Sequence, residues 1–180
     1  MVIAMKEVER KVISELMKNS RRSDREIAKA IGTSQPTVSR LIKKLKAEGY
    51  IKEFTMIPNF SKLGYHLLAL TFVRLKGELS AEEIEKIRQM GMKMPEETSL
   101  ETIMAERGLG FRCDGVIMSF HEDFSSFQDF KKWLKSYGFI DTSACDSFVI
   151  NLGDEIRYRP LTLRTLAKHL LTTKEKETKS

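Results

Sequence analysis

The chain has 180 residues, 41% of them apolar and 31% charged, with a formal net charge of +6. That is apolar content for one or two small cores and a charge density that fits a soluble protein. Cys113 and Cys145 lack CxxC spacing, which excludes a disulfide framework, and the scattered His66, His121 and His169 form no metal-ligand cluster. No cofactor motif is present: there is no Walker-type loop, and Gly108–Gly110 is too short a fragment to read as GxGxxG. No apolar run is long enough to cross a membrane, and the first twenty residues are amphipathic and charged, unlike a secretory signal. The expected location is the cytoplasm.

Residues 5–18 repeat Val8, Val12 and Leu16 every four positions, the pattern of one helical face. Ser23-Asp-Arg-Glu26 is a capping box that opens a second helix, whose apolar face is Ile27, Ala28 and Ile31. Gly32 supplies the left-handed residue that ends it. Thr33 or Ser34 caps a third helix, and Pro36 falls in its first turn, where the missing N–H costs nothing. In this third helix Val38, Leu41, Ile42 and Leu45 share one apolar sector at 100° per residue. Arg40 and Lys43 point the other way, Thr37, Ser39 and Lys44 flank them, and Ser34 and Gln35 sit at the tip. One face that packs and an opposite face that carries Arg, Lys, Gln, Ser and Thr is what a recognition helix needs in the major groove.

Charge agrees with this. Residues 1–55 hold 13 Lys and Arg against 7 Asp and Glu, whereas residues 56–180 hold 18 of each. The whole positive excess lies on the helix-turn-helix segment and points to a polyanion such as double-stranded DNA. Candidate DNA contacts are Ser34, Gln35, Thr37, Ser39, Arg40, Lys43 and Lys44. Gly49 stops the third helix, and the β-prone Tyr50–Ile57 fits a short wing hairpin.

After Pro58 the pattern becomes mixed. His66–Leu75 reads as a strand with apolar residues on both faces. Ser80–Glu83 opens a helix with Ala81, Ile84 and Ile87 inward, and residues 91–99 read as a loop. Thr102–Ala105 and Val116–Phe120 read as short strands joined by Glu106–Gly115, a connection too long for a tight hairpin. Phe127, Phe130, Leu134 and Tyr137 stripe a helix ended by Gly138. Asp146–Leu152 is a last strand. Arg157–Leu171 reads as one more helix, with Leu161, Leu163, Leu166 and Leu170 available for packing. Residues 172–180 form a polar tail.

The order strand, helix, strand, strand, helix, strand predicts a ferredoxin-like βαββαβ domain, giving an α+β chain with an extra C-terminal helix. The expected layout is a helix-turn-helix domain over 1–58, a linker over 59–65, a ferredoxin-like dimerisation or effector domain over 66–171, and a tail over 172–180. Helices cover one sheet face only. Apolar residues on both faces of the first strand therefore predict a second copy of the chain on the other face, a twofold homodimer.

Ser34–Ile51 (SQPTVSRLIKKLKAEGYI), followed by Asn59–Gly64 (NFSKLG) and a ferredoxin-like pattern, resembles the leucine-responsive/asparagine-regulator (Lrp/AsnC) family of prokaryotic transcription factors, in its archaeal form. The resemblance is close to about residue 76 and looser beyond. It implies a regulator of transcription, not an enzyme, with dimers that in this family often assemble further into tetramers or octamers. It also implies a small effector held between subunits. The family's short Gly-x-aromatic-Asp element corresponds to a longer stretch here, Gly108–Asp114, with Asp114 as the candidate effector contact. The same architecture is similar to siroheme decarboxylase subunits, for which His121 with Arg107 or Arg112 would have to serve. The His-aromatic-x-Arg element of that subfamily is missing. A third alternative is an effector- or partner-binding module without DNA binding.

Overall fold

The computed structural model describes residues 5–97, 101–156 and 158–172. Two compact units are present, Met1–Ile57 with Tyr158–Ser180, and Pro58–Arg157.

The first unit begins with three helices: α1 (Glu7–Lys18), α2 (Asp24–Ile31) and α3 (Gln35–Ala47). Their apolar faces close on one core of Val12, Leu16, Ile27, Ala28, Val38 and Leu45. The punctuation follows the residues. Glu26 N–H donates to Ser23 Oγ at 3.3 Å, while Ser23 N–H donates to Glu26 Oε2 at 2.7 Å. Gly32 sits at φ 71° and ends α2, a conformation that costs glycine no Cβ clash. Ser34, not Thr33, caps α3.

Residues 51–59 have no strand pairing among the described residues, in place of the expected wing hairpin. The segment is pinned instead by Ile51 N–H to the Leu45 carbonyl at 3.1 Å and Ser20 Oγ–H to the Thr55 carbonyl at 2.9 Å. β-propensity alone does not make a ladder; a second strand must lie beside it.

The second unit is a four-stranded antiparallel sheet in the order β2-β3-β1-β4. The strands are β1 (Leu67–Val73), β2 (Thr102–Gly110), β3 (Cys113–His121) and β4 (Asp146–Asn151), with helices α4 (Ala81–Glu97) and α5 (Phe124–Lys135) in the crossovers. This is the ferredoxin-like arrangement the element order predicted. Leu67, Ala69, Val73 and Ile117 of the sheet enclose Phe127, Phe130 and Leu134 of α5. On the opposite face Leu68, Leu70 and Phe72 are only half-buried, and Phe148 is 63% exposed.

Three further elements differ from expectation. Residues 91–97 continue α4 and do not form a loop; residues 98–99 of that expected loop lie outside the described residues. Gly91 and Pro95 disfavour a helix by about 1 and about 3 kcal/mol, which is why the stretch reads as a loop. Glu106–Gly115 is not a loose connection either. The two strands run through it to a two-residue turn, Phe111–Arg112, with Glu106 paired to Val116 and Gly110 to Cys113. Both turn residues have positive φ, 51° and 56°, as a twist-matched hairpin turn requires, although neither is Gly, Asn or Asp. Gly115 is obligatory: a Cβ there would lie 2.9 Å from the Glu106 carbonyl oxygen.

The third difference is α6 (Arg164–Thr172), which starts later than expected; Arg157 lies outside the described residues. It belongs with the first unit, not with the ferredoxin-like domain, and packs on α1. Of its leucines, Leu166 and Leu171 remain exposed and Leu170 is half-buried, and Leu161 and Leu163 just before the helix are exposed too. The contact is made by Ala167, fully enclosed, and Ser14, whose Oγ–H donates to the Ala167 carbonyl at 2.8 Å. Small residues at a helix crossing let the two backbones approach closely. The tail from residue 173 lies outside the described residues.

Candidate nucleic-acid interface

α3 presents the expected surface. Val38 and Leu45 are buried and Leu41 and Ile42 half-buried, so the helix is held down by one face. Gln35, Arg40 and Lys43 lie exposed. Arg40 and Lys43 carry no ion-pair partner among the described residues, so their charge stays available to an incoming anion.

The remaining candidates divide by what they already touch. Ser34 Oγ accepts from Thr37 N–H at 3.4 Å and shares a hydrogen bond with Thr37 Oγ1 at 2.8 Å. Both hydroxyls therefore serve the helix cap first. Ser39 is half-buried on the flank. Lys44 is not free: its Nζ lies 2.7 Å from Glu9 Oε1 on α1 and 3.7 Å from Glu48 Oε1. The Lys44 hydrogen bond holds the Glu9 carboxyl below its usual range, and the same bond raises Lys44. Glu9 is buried, so Lys44 is a strut between α3 and α1. Spacing on α3 alone gave no sign of this, because the partner lies 35 residues away.

Two cations absent from the candidate set stand exposed on α2, Arg25 and Lys29. They are four residues apart and so share a helix face. Their spacing opposite Ile27 and Ile31 was the available signal.

The contrast between adjacent lysines yields a direct prediction. Lys43→Ala should reduce the slope of log affinity against log salt by about 0.9, one phosphate contact. Lys44→Ala should leave that slope unchanged and lower the thermal midpoint, because Glu9 is left enclosed without its cation. Salt titrations of DNA binding and melts of both variants check this; equal slope losses would put Lys44 in the interface.

Asp114 lies outside this unit. Its Oδ2 accepts from Leu75 N–H at 2.8 Å, fixing the chain just after β1. His121 and Arg112 are not brought together: they occupy opposite ends of β3 and its turn, and His121 is buried against Phe127 and Phe130. His121 Nε2 and Ser119 Oγ share a hydrogen bond at 2.8 Å. Burial lowers the His121 pKa below 6.5. The unfolded chain therefore binds this proton more readily than the folded one. Stability should fall as pH drops below about 6.5, by at most about 1.4 kcal/mol per pH unit from this residue. Urea melts at pH 7.5 and 5.5 measure the loss, and His121→Asn should shrink it.

No helix among the described residues is long and apolar enough to cross a membrane. Residues 5–52 match the winged helix-turn-helix DNA-binding family. An uncharacterized HTH-type transcriptional regulator of Pyrococcus abyssi is 41% identical over 81 residues, which are 45% of this chain and 54% of that protein. The chain thus spans about half the length of the curated relatives it matches. Among solved structures, LrpC of B. subtilis superposes with a TM-score of 0.66 at 22% identity, covering 87% of this chain and 100% of that one. A transcriptional regulator of Neisseria meningitidis, solved as its L-Met complex, gives 0.70 at 19% identity, covering 91% and 99%. The chain therefore carries a winged helix-turn-helix DNA-binding segment and has the fold of the Lrp/AsnC regulators.

Proposed function

We propose that this protein is a sequence-specific, DNA-binding regulator of transcription that acts in the cytoplasm as a homodimer, with no catalytic activity of its own. The observation that carries this reading is the uncompensated Arg40 and Lys43 on the exposed face of α3, in the segment that holds the whole positive excess of the chain. Arg40 and Gln35 read base edges, since Arg pairs with guanine and Gln with adenine. Lys43, Arg25 and Lys29 bind phosphates, which position the helix without reading sequence. Ser34, Thr37 and Ser39 are secondary contacts, made from the cap and flank of the helix.

The half-open sheet face supports the dimer. Leu68, Leu70 and Phe72 with the exposed Phe148 form an apolar surface that an identical face covers by twofold symmetry. Two copies of α3 then meet successive major-groove turns about 34 Å apart on a pseudo-palindromic site. Further assembly to tetramers or octamers, and a small effector, belong to the same reading. Asp114 is the effector candidate through Oδ1, since Oδ2 is taken by Leu75. The L-Met bound to the Neisseria regulator makes an amino acid the first effector to try.

Selection of binding sites from random DNA with the purified protein tests the function. Enrichment of a palindromic motif is the expected result, and no enrichment at low salt sinks the reading. On the selected site Arg40→Ala should cost about 1–3 kcal/mol and relax preference at one base position. An equal loss on random DNA would make Arg40 a phosphate contact only.

A further inference from the structure

β1 turns Leu67, Ala69, Thr71 and Val73 toward the helices, and Thr71 is the one polar member of that row. It is 1% exposed. Its neighbour across the β1–β4 ladder, Ser147, is also a hydroxyl residue, and the two Oγ atoms lie 2.9 Å apart. Two hydroxyls bring two donors, and their shared bond uses one. Both residues line a small cavity.

That cavity, of about 70 Å³, is lined by Thr71, Ser147, Cys145 and Leu134 together with Lys131 and Lys135 of α5. The two lysines are four residues apart, so their ammonium groups stand on one helix face and repel. No Asp or Glu lines the cavity. The nearby acid on α5, Asp129, is taken by Lys132 at 2.8 Å. Lys131 Nζ lies 5.8 Å from the Phe127 ring centroid, which steadies that side chain. A water's share of liquid volume is about 30 Å³, so the space holds about two waters or one small oxyanion group.

We infer that this cavity is a seat for a small oxyanion, a phosphate or a carboxylate, received by Lys131 and Lys135 and hydrogen-bonded by the Thr71 and Ser147 hydroxyls. The seat lies wholly within the ferredoxin-like unit. It uses none of the proposed DNA contacts and none of the proposed effector residue, so it holds or fails independently of the DNA-binding reading.

Cys145 in the wall supplies a local readout, and Cys113→Ser leaves it as the one thiol of the chain. The rate of Cys145 alkylation by iodoacetamide is measured at constant ionic strength as chloride is replaced by inorganic phosphate or by acetate. Binding slows the reaction saturably, by about tenfold at ten times Kd, the factor 1 + [L]/Kd. Protection by phosphate alone identifies a phosphate seat, by acetate alone a carboxylate seat, and by both a general oxyanion seat. Lys131→Gln with Lys135→Gln should abolish the protection and leave the melt in chloride unchanged. Equal alkylation rates in all three salts overturn the proposal, as does protection that survives in the double variant.

Discussion

Leu45→Ala will unfold much of the DNA-binding unit before it disturbs any DNA contact. Leu45 is fully enclosed, within a core built from Val12, Leu16, Ile27, Ala28 and Val38. Truncation at such a site costs about 2–5 kcal/mol, from lost transfer energy and the cavity left behind. A unit of about eighty residues holds only about 4–12 kcal/mol in total. The variant should therefore show an early unfolding transition and lose DNA binding at temperatures where the native chain still binds. The ferredoxin-like unit has a separate core around Phe130 and should keep its own melt. Arg40→Ala is the control, because it weakens binding with the melt intact. Should Leu45→Ala melt like the native chain, the three helices are held by something other than this core.

The second large effect is expected at the other end of the chain. Ala167→Asp drives a carboxylate into a position with no solvent access, between α6 and α1. An enclosed, unpaired charge costs several kcal/mol, more than a nine-residue helix recovers by staying docked. α6 should detach, and amide exchange should quicken in α6 and along the face of α1 that carries Ser14. Lys168→Asp, one position on and exposed, is the matched control and should change neither. Ser14→Ala, which removes one hydrogen bond to Ala167, should cost only about 0.5–1.5 kcal/mol. Unchanged exchange in Ala167→Asp would mean that the contact between α1 and α6 contributes little.

What could be read from sequence depended on how local the cause was. Ser23 with Glu26, Gly32 and Ser34 each act within three or four residues, and the α2–turn–α3 segment came out nearly residue for residue. The core stripe Phe127, Phe130 and Leu134 was legible because a helix repeats it on one face. The long β2–β3 hairpin was not. Its turn residues are Phe111 and Arg112, side chains that rarely adopt positive φ, and the glycines around them read as a loop. The role of Lys44 was hidden because Glu9 sits on another helix. Most hidden was the docking of α6, where Ser14 bonds a residue 153 positions away and the decisive side chain is an alanine among more conspicuous leucines.

The joining of α1 to α6 also sets a timetable for synthesis. About 115 residues separate the end of α3 from the start of α6, on the order of 6–23 s of ribosomal elongation. Through that interval the nascent helix-turn-helix has its recognition surface but not its last packing partner. Full DNA-binding competence should arrive only after the ferredoxin-like unit has been made, so a stalled chain offers the genome a weaker reader than a finished one.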